Sequence, residues 1–262
     1  MSLYHIKIYD DVYHIGDGFG NFCTLILGRK SCLLFDTLTG YYDLKTYIRT
    51  ITHLNIIVVN SHGHYDHFGG NYQFTDIYMS KKDYALFDYY KPMLGELNNS
   101  NGINISNILN SISQKEHYKN IDPDYIFDLG GVILTVVNLE GHTAGSIGLY
   151  YQKRKLLLVG DAISPQMCIF FPESLPLSTL KNTFKAAWNY DFHFMLLSHF
   201  PEKYPKSIIK EFEKCFTLIP HSKHYDYSYS LFSCMKGSLY IQEINNSEIN
   251  QMICIITKTN PI

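Results

Sequence analysis

Short apolar runs alternate with polar breaks along most of the chain. Near the start, "HIKIY", "VYHIG", "NFCTLILG" and "SCLLFDT" are rich in β-branched and aromatic residues and are separated by Gly or Asp turns, which predicts strands. In "YDLKTYIRTITHL" the apolar residues Leu44, Ile48, Ile51 and Leu54 recur at helical spacing, and "NIIVVN" then returns to a strand. Further apolar runs predict strands at "DIYMS", "GVILTVVNLEG", "SIGLYY", "KLLLVGD" and "FHFMLLSH". Helices are predicted at "KKDYALFDYY", near 178–189 and near 205–217, and extra strands in "YSLFSCMKGSLYIQEI" and "QMICIITKTN". Such alternation belongs to a layered α/β fold. Residues 91–120 are polar, Asn/Ser-rich and weakly periodic, and read as an insertion with some helix, suited to a lid over a site. No linker or strong repeat divides the chain, so residues 1–262 are expected to form a single domain.

Composition narrows the classes. With 262 residues, 46% hydrophobic and 15% aromatic, the chain can bury a large core. Its 22 lysines and arginines nearly balance 24 aspartates and glutamates, so no global field favours nucleic acid or an anionic membrane. A charged N-terminal stretch and the lack of a long apolar segment argue against a leader or a membrane span, and cytoplasmic residence is expected. The six cysteines form no CxxC pair and read as reduced, buried thiols. Nothing in the sequence bears on oligomeric state.

Chemistry is concentrated where apolar runs end. "NSHGHYDHFGGN" follows "IIVV" and supplies His62, His64, Asp66 and His67; His142 follows another run, Asp161 ends "LLLVGD", and His199 ends "FMLLSH". A lone histidine at a strand end is ordinarily structural, and an aspartate there can be a helix N-cap, so only the whole set points to metal binding. Imidazole and carboxylate are the ligands that borderline metals such as zinc accept. In an extended segment His62 and His64 point the same way. Seven ligands exceed one tetrahedral site. Two ions are accounted for by His62, His64 and His142 on one, Asp66, His67 and His199 on the other, and Asp161 between them. Asp36 can orient a ligand histidine from behind or cap a turn. His5, His14, His53, His117, His193, His221 and His224 lack companions and read as surface or packing residues.

Taken together, "HGHYDH", "LLFDT", "GHTAGSIG", "GDA" and the "SH" at 199 resemble the metallo-β-lactamase-fold metallohydrolases, whose signature is HxHxDH. The resemblance covers nearly the whole chain. It implies an αββα four-layer sandwich with metals at one edge between the sheets, two Zn2+ ions (or Fe or Mn), and the ligand assignment above. It also implies hydrolysis of an ester, thioester, lactone or phosphodiester of a small-molecule substrate by a metal-bridging hydroxide, with Asp66 as ligand and proton carrier. Asp161 stands where the true β-lactamases place cysteine or serine, which points to the lactonase, glyoxalase II and phosphodiesterase branches. "SHF" replaces the family's "GHG" or "GHP" and makes the His199 loop bulkier. Glyoxalase II carries a basic helical C-terminal region, whereas the tail here reads as strands, leaving a small, partly apolar substrate by elimination. The loop after Asp161 borders the pocket in this family, so Met167, Phe170 and Phe171, with Tyr65, are candidate substrate-facing residues. Two other classes stay open: an iron oxidoreductase like the persulfide dioxygenases, and a metal-binding sensor without turnover. The related diiron proteins carry glutamate where this chain has His64.

Overall fold

The apolar runs form three sheets, and the alternation within each strand decides which layers it touches. A computed structural model describes residues 2–97, 105–219, 223–229, 235–245 and 250–258. The first sheet has seven strands in chain order: β1 (Tyr4–Tyr9), β2 (Val12–Gly16), β3 (Phe22–Leu27), β4 (Ser31–Phe35), β5 (Asn55–Val59), β6 (Ile77–Met79) and β7 (Lys119–Asn120). It is antiparallel as far as β4 and parallel beyond. The second sheet holds β8 (Ile126–Asp128), β9 (Ile133–Asn138), β10 (Ile147–Tyr151) and β11 (Leu156–Leu158). The chain then leaves for β12 (Gln166–Ile169), and returns to the second sheet with β13 (Phe194–Leu196), parallel to β11, and β14 (Tyr204–Pro205). A third sheet pairs β12 with β17 (Asn250–Thr257), β16 (Lys236–Asn245) and β15 (Tyr225–Ser228), in that order.

In β4, Cys32 and Leu34 face one core while Leu33 and Phe35 face another, as a period of two requires. Leu33, Phe35 and Val59 meet Leu134, Val136, Leu149 and Leu158 of the second sheet, so the two sheets pack face to face. The outer face of the first sheet is covered by α1 (Leu44–Arg49), α3 (Tyr84–Leu97) and α4 (Ile105–Ser113), reached past the short α2 (Tyr65–Phe68). The outer face of the second is covered by α5 (Leu177–Trp188) and α6 (Ile208–Leu218), through Leu180, Phe184, Phe212 and Phe216. The layering is the expected αββα sandwich. Strands buried on both faces explain why their sequences read as unbroken apolar runs rather than alternating ones.

Several boundaries differ from expectation. α1 is only six residues long, opening where the Asp43 side chain accepts from Thr46 N and ending at Thr50. α3 runs into the expected insertion, and α4 buries Ile105, Ile108 and Ile112 in the first core. Residues 98–104 of that insertion, His221, Cys234 and residues 230–234 of an expected strand lie outside the described residues. β12 and β15 are strands where none was expected. The five described cysteines are free thiols. No helix among the described residues is long and apolar enough to cross a membrane.

Candidate metal centre

All seven candidate ligands gather at one edge of the sandwich. His62 and His64 leave the end of β5, with His64 opening α2 and Asp66 and His67 lying on it. His142 follows β9, Asp161 follows β11 and His199 follows β13, three strands that run in the same direction. Gly160 takes a φ of +55° to turn the chain into Asp161, and a Cβ there would lie 2.7 Å from that of Ser61.

Three nitrogens converge: His64 Nδ1 lies 3.0 Å from His62 Nε2 and 3.0 Å from His142 Nε2. A tetrahedral zinc with ~2.0 Å bonds has ligand–ligand edges of roughly 3.3 Å, close to this spacing. Beside it, His67 Nε2, His199 Nε2 and Asp66 Oδ2 form a second group, with Asp66 Oδ2 at 3.7 and 3.6 Å from the two nitrogens. Asp161 Oδ2 is 3.2 Å from His199 Nε2, 3.5 Å from His67 Nε2 and 3.7 Å from His142 Nε2, and so reaches both groups.

Each imidazole is held from behind at its other nitrogen. His142 Nδ1 donates to the Cys168 carbonyl (2.6 Å), His199 Nδ1 to the Gly20 carbonyl (3.2 Å), His64 Nε2 to Glu173 (2.6 Å) and His67 Nδ1 to Asp36 (2.9 Å). Ser61 Oγ donates to Asp36, which leaves it able to accept from His62 Nδ1 at 2.9 Å. A carbonyl or carboxylate can only accept, so the outward nitrogen carries a hydrogen, and each ring in its neutral form turns its lone pair inward. Among the described residues, the buried His67 Nε2 and Asp161 Oδ1 have no hydrogen-bond partner. An orphaned buried polar atom costs about 1–3 kcal/mol, a cost that a cation would remove. The donor set therefore fits two divalent cations, one on three imidazole nitrogens and one on mixed nitrogen and oxygen.

The electrostatics divide along the same line. Burial, then the neighbouring His67, His64 and His142, holds His62 well below the ordinary imidazole range. Burial and His64 bring His142 down to about 4. For His199, burial pulls the value down but Asp161 overrides it and raises the ring to about 9; His67 behaves likewise against Asp161, Asp66 and Asp36. Burial would raise Asp161, yet His199 and His67 hold it well below the usual carboxylate range.

Two supports escape a reading of the sequence. Asp83, 1% exposed, accepts from Gly63 N (2.9 Å), Gly145 N (2.7 Å) and Thr143 Oγ1 (2.7 Å), clamping the "HGHYDH" loop to the "GHTAGS" loop. A Cβ on Gly145 would come within 2.5 Å of the Asp83 carboxyl carbon, so both partners are needed as they are. The residue reads in sequence as one more polar position in "KKDYALFDYY". Glu173, which also accepts from Tyr90 Oη at 2.7 Å, is a lone carboxylate after "IFFP". Asp36 proves to hold a histidine from behind, and also accepts from Ser61 N and Ser198 Oγ.

The centre opens into a cavity of about 340 Å³ whose lining includes His64, Asp66, Asp161 and His199. Of the candidate substrate-facing residues, Tyr65 and Phe171 line it. Met167 does not: strand alternation turns Gln166 and Cys168 to the cavity and Met167 into the second core. Phe170 does not either, standing behind Phe171 with ring centroids 4.2 Å apart. No described residue of 91–120 lines the cavity, which corrects the expected lid for that part of the segment; α3 contributes Tyr90 just before it.

Residues 16–199 match the family model described as the metallo-beta-lactamase superfamily. Among solved structures, a metallo-beta-lactamase from Pontibacter korlensis is similar at 17% identity, with a TM-score of 0.61 over 82% of this chain and 99% of that one. DIM-1 metallo-beta-lactamase is similar at 15% identity and a TM-score of 0.61, over 84% of this chain and 99% of its own. The stereoselective inverting sec-alkylsulfatase Pisa1 from Pseudomonas sp. is similar at 14% identity and a TM-score of 0.61, over 84% of this chain and 42% of the sulfatase. At such identities the likeness is one of fold. No curated protein matches the sequence.

Proposed function

Because the chain belongs to the metallo-beta-lactamase superfamily, we propose that it is a metal-dependent hydrolase that binds two divalent cations, zinc foremost, and cleaves an ester, thioester, lactone or phosphodiester bond of a small substrate. One observation carries the reading: five imidazoles, each tied behind to an acceptor, turn their inner nitrogens to two adjacent points that the Asp161 carboxylate also reaches. His62, His64 and His142 hold one ion, Asp66, His67 and His199 the other, and Asp161 is shared. Bound there, the ions supply Lewis acidity and a water whose pKa falls towards neutrality.

The chain's own residues do the rest. Asp36, Glu173 and the carbonyls of Gly20 and Cys168 keep the rings in one tautomer. Asp66, on the cavity side, accepts a proton at its other carboxylate oxygen, Oδ1, and passes it on as the bond breaks. The cavity walls limit water around the reacting group.

Elemental analysis of zinc-loaded protein should find two ions per chain. Screening against esters, thioesters, lactones and phosphodiesters should find turnover that Asp161→Asn abolishes. One ion per chain, with His67 and His199 dispensable for binding it, overturns the two-ion assignment. Oxygen consumption on a persulfide by iron-loaded protein, with no hydrolysis, replaces the hydrolase reading with a dioxygenase.

A further inference from the structure

The cavity has a charged floor and an aromatic wall. Phe19, Tyr65, Tyr90, Phe171, Tyr227 and Tyr229 surround the floor of His64, Asp66, Asp161 and His199. No lysine or arginine lines it among the described residues, and no residue outside the described set is a lysine or arginine. Lys258 is engaged elsewhere, donating to the Pro172 and Ser174 carbonyls at 3.0 and 2.8 Å. An anionic group on a substrate, away from the reacting bond, would therefore meet phenol rings and the carboxylate of Asp66 without a cation to pair with. An unpaired charge of that kind is how a site rejects a ligand.

The wall is built to stay in place. Tyr227 lies on β15, in register with Gly237 of β16, and its ring packs on Phe170 at 5.2 Å and 72°. Tyr229 packs edge-on against Phe171 at 5.5 Å and 90°, and Phe171 in turn lies 4.9 Å from the His64 ring. At the mouth Phe19 is 63% exposed, beside the half-exposed Tyr41. Paired exposed rings at a cavity mouth suit an apolar visitor. Tyr227 and Tyr229 also lie beyond the span that matches the superfamily model.

We propose that the third sheet, through Tyr227 and Tyr229, makes this centre selective for uncharged substrates that carry a flat aromatic or apolar group, and against those with a second, anionic group. The proposal rests on the hydrolase reading for the word substrate, but its test involves no turnover. Calorimetry on zinc-loaded protein compares two zinc-binding probes, 4-carbamoylbenzohydroxamate and 4-carboxybenzohydroxamate, which differ only in the charge at the far end. The neutral probe should bind at least about tenfold tighter, given what an unpaired like charge costs. Tyr229→Ala should weaken the neutral probe roughly three- to tenfold through its lost ring contact. Tyr229→Lys should bring the two probes to within about twofold by supplying the missing cation.

Equal affinities, tighter binding of the carboxylate, or no binding of either probe to protein that holds zinc would overturn the proposal. Should a variant fail to hold zinc, the wild-type ratio alone decides. The stated preference without hydrolysis of any ester, thioester, lactone or phosphodiester supports the proposed wall and sinks the hydrolase reading alone. Hydrolysis with equal affinities does the reverse.

Discussion

Replacing Asp83 by asparagine tests whether the candidate metal centre depends on a residue outside the candidate ligand set and the cavity lining. The carboxylate accepts two backbone N–H groups and one hydroxyl from the two ligand loops. Asparagine keeps one acceptor oxygen and turns an NH2 towards a donor. At least one bond to a charged acceptor is lost and one buried N–H is left unpaired, together about 2–4 kcal/mol. His62 and His64 sit on one of the clamped loops and His142 on the other, so the three-nitrogen group spans the joint. A loosened joint should weaken metal binding roughly 10–100-fold, the usual effect of losing an outer support. Urea titration reads the first quantity and chelator competition the second. Thr143→Val removes only the hydroxyl donor and should cost less, about 1 kcal/mol. An Asn variant that unfolds at the wild-type urea midpoint refutes the clamp. If stability falls but the chelator result does not move, Asp83 braces the fold and not the centre.

Asp161→Asn should fold and lose most of its metal and at least about 100-fold of any turnover, because a neutral amide is a poor shared ligand; normal metal content would remove Asp161 from the ligand set. Glu173→Gln should weaken metal binding about 10–100-fold by loosening the tie on His64, measured again by chelator competition, and an unchanged value would show the tie to be dispensable. His14 is buried with its value pushed down to about 4 by burial, while Nε2 donates to the Phe200 carbonyl and Nδ1 accepts from Thr24. As pH falls the unfolded chain takes up that proton first, so stability should be full above about 6.5 and drop by about 3 kcal/mol as pH nears 4. Urea midpoints of wild type and His14→Gln across that range should diverge in slope; parallel curves would place the acid sensitivity elsewhere.

The candidate ligands stand out in the sequence because each lies just past a buried apolar run, and a sheet's end is where such runs must stop. Asp36 was half legible: the position stood out, while its contact with His67 needed the fold. Asp83 and Glu173 were invisible, since each binds groups at least 20 positions away in the chain and resembles a surface residue locally. Met167 was misplaced because β12 was not recognised as a strand, and without the strand its two faces cannot be told apart. α4 was hidden for a related reason: its Asn and Ser residues make the segment polar, while Ile105, Ile108 and Ile112 supply just enough of an apolar stripe to bind it to the core.

β12 also bears on how the molecule is assembled in time. Its neighbour β17 and the tyrosine strand β15 follow every candidate ligand in the chain. Growth from residue 199 to residue 258 takes ~3–12 s at about 5–20 residues per second. A nascent chain can thus hold all its candidate metal ligands while its pocket still lacks a wall. Lineage works under the same separation: a mutation, insertion or exchange confined to the late strands can reshape the cavity while leaving every candidate ligand atom where it was.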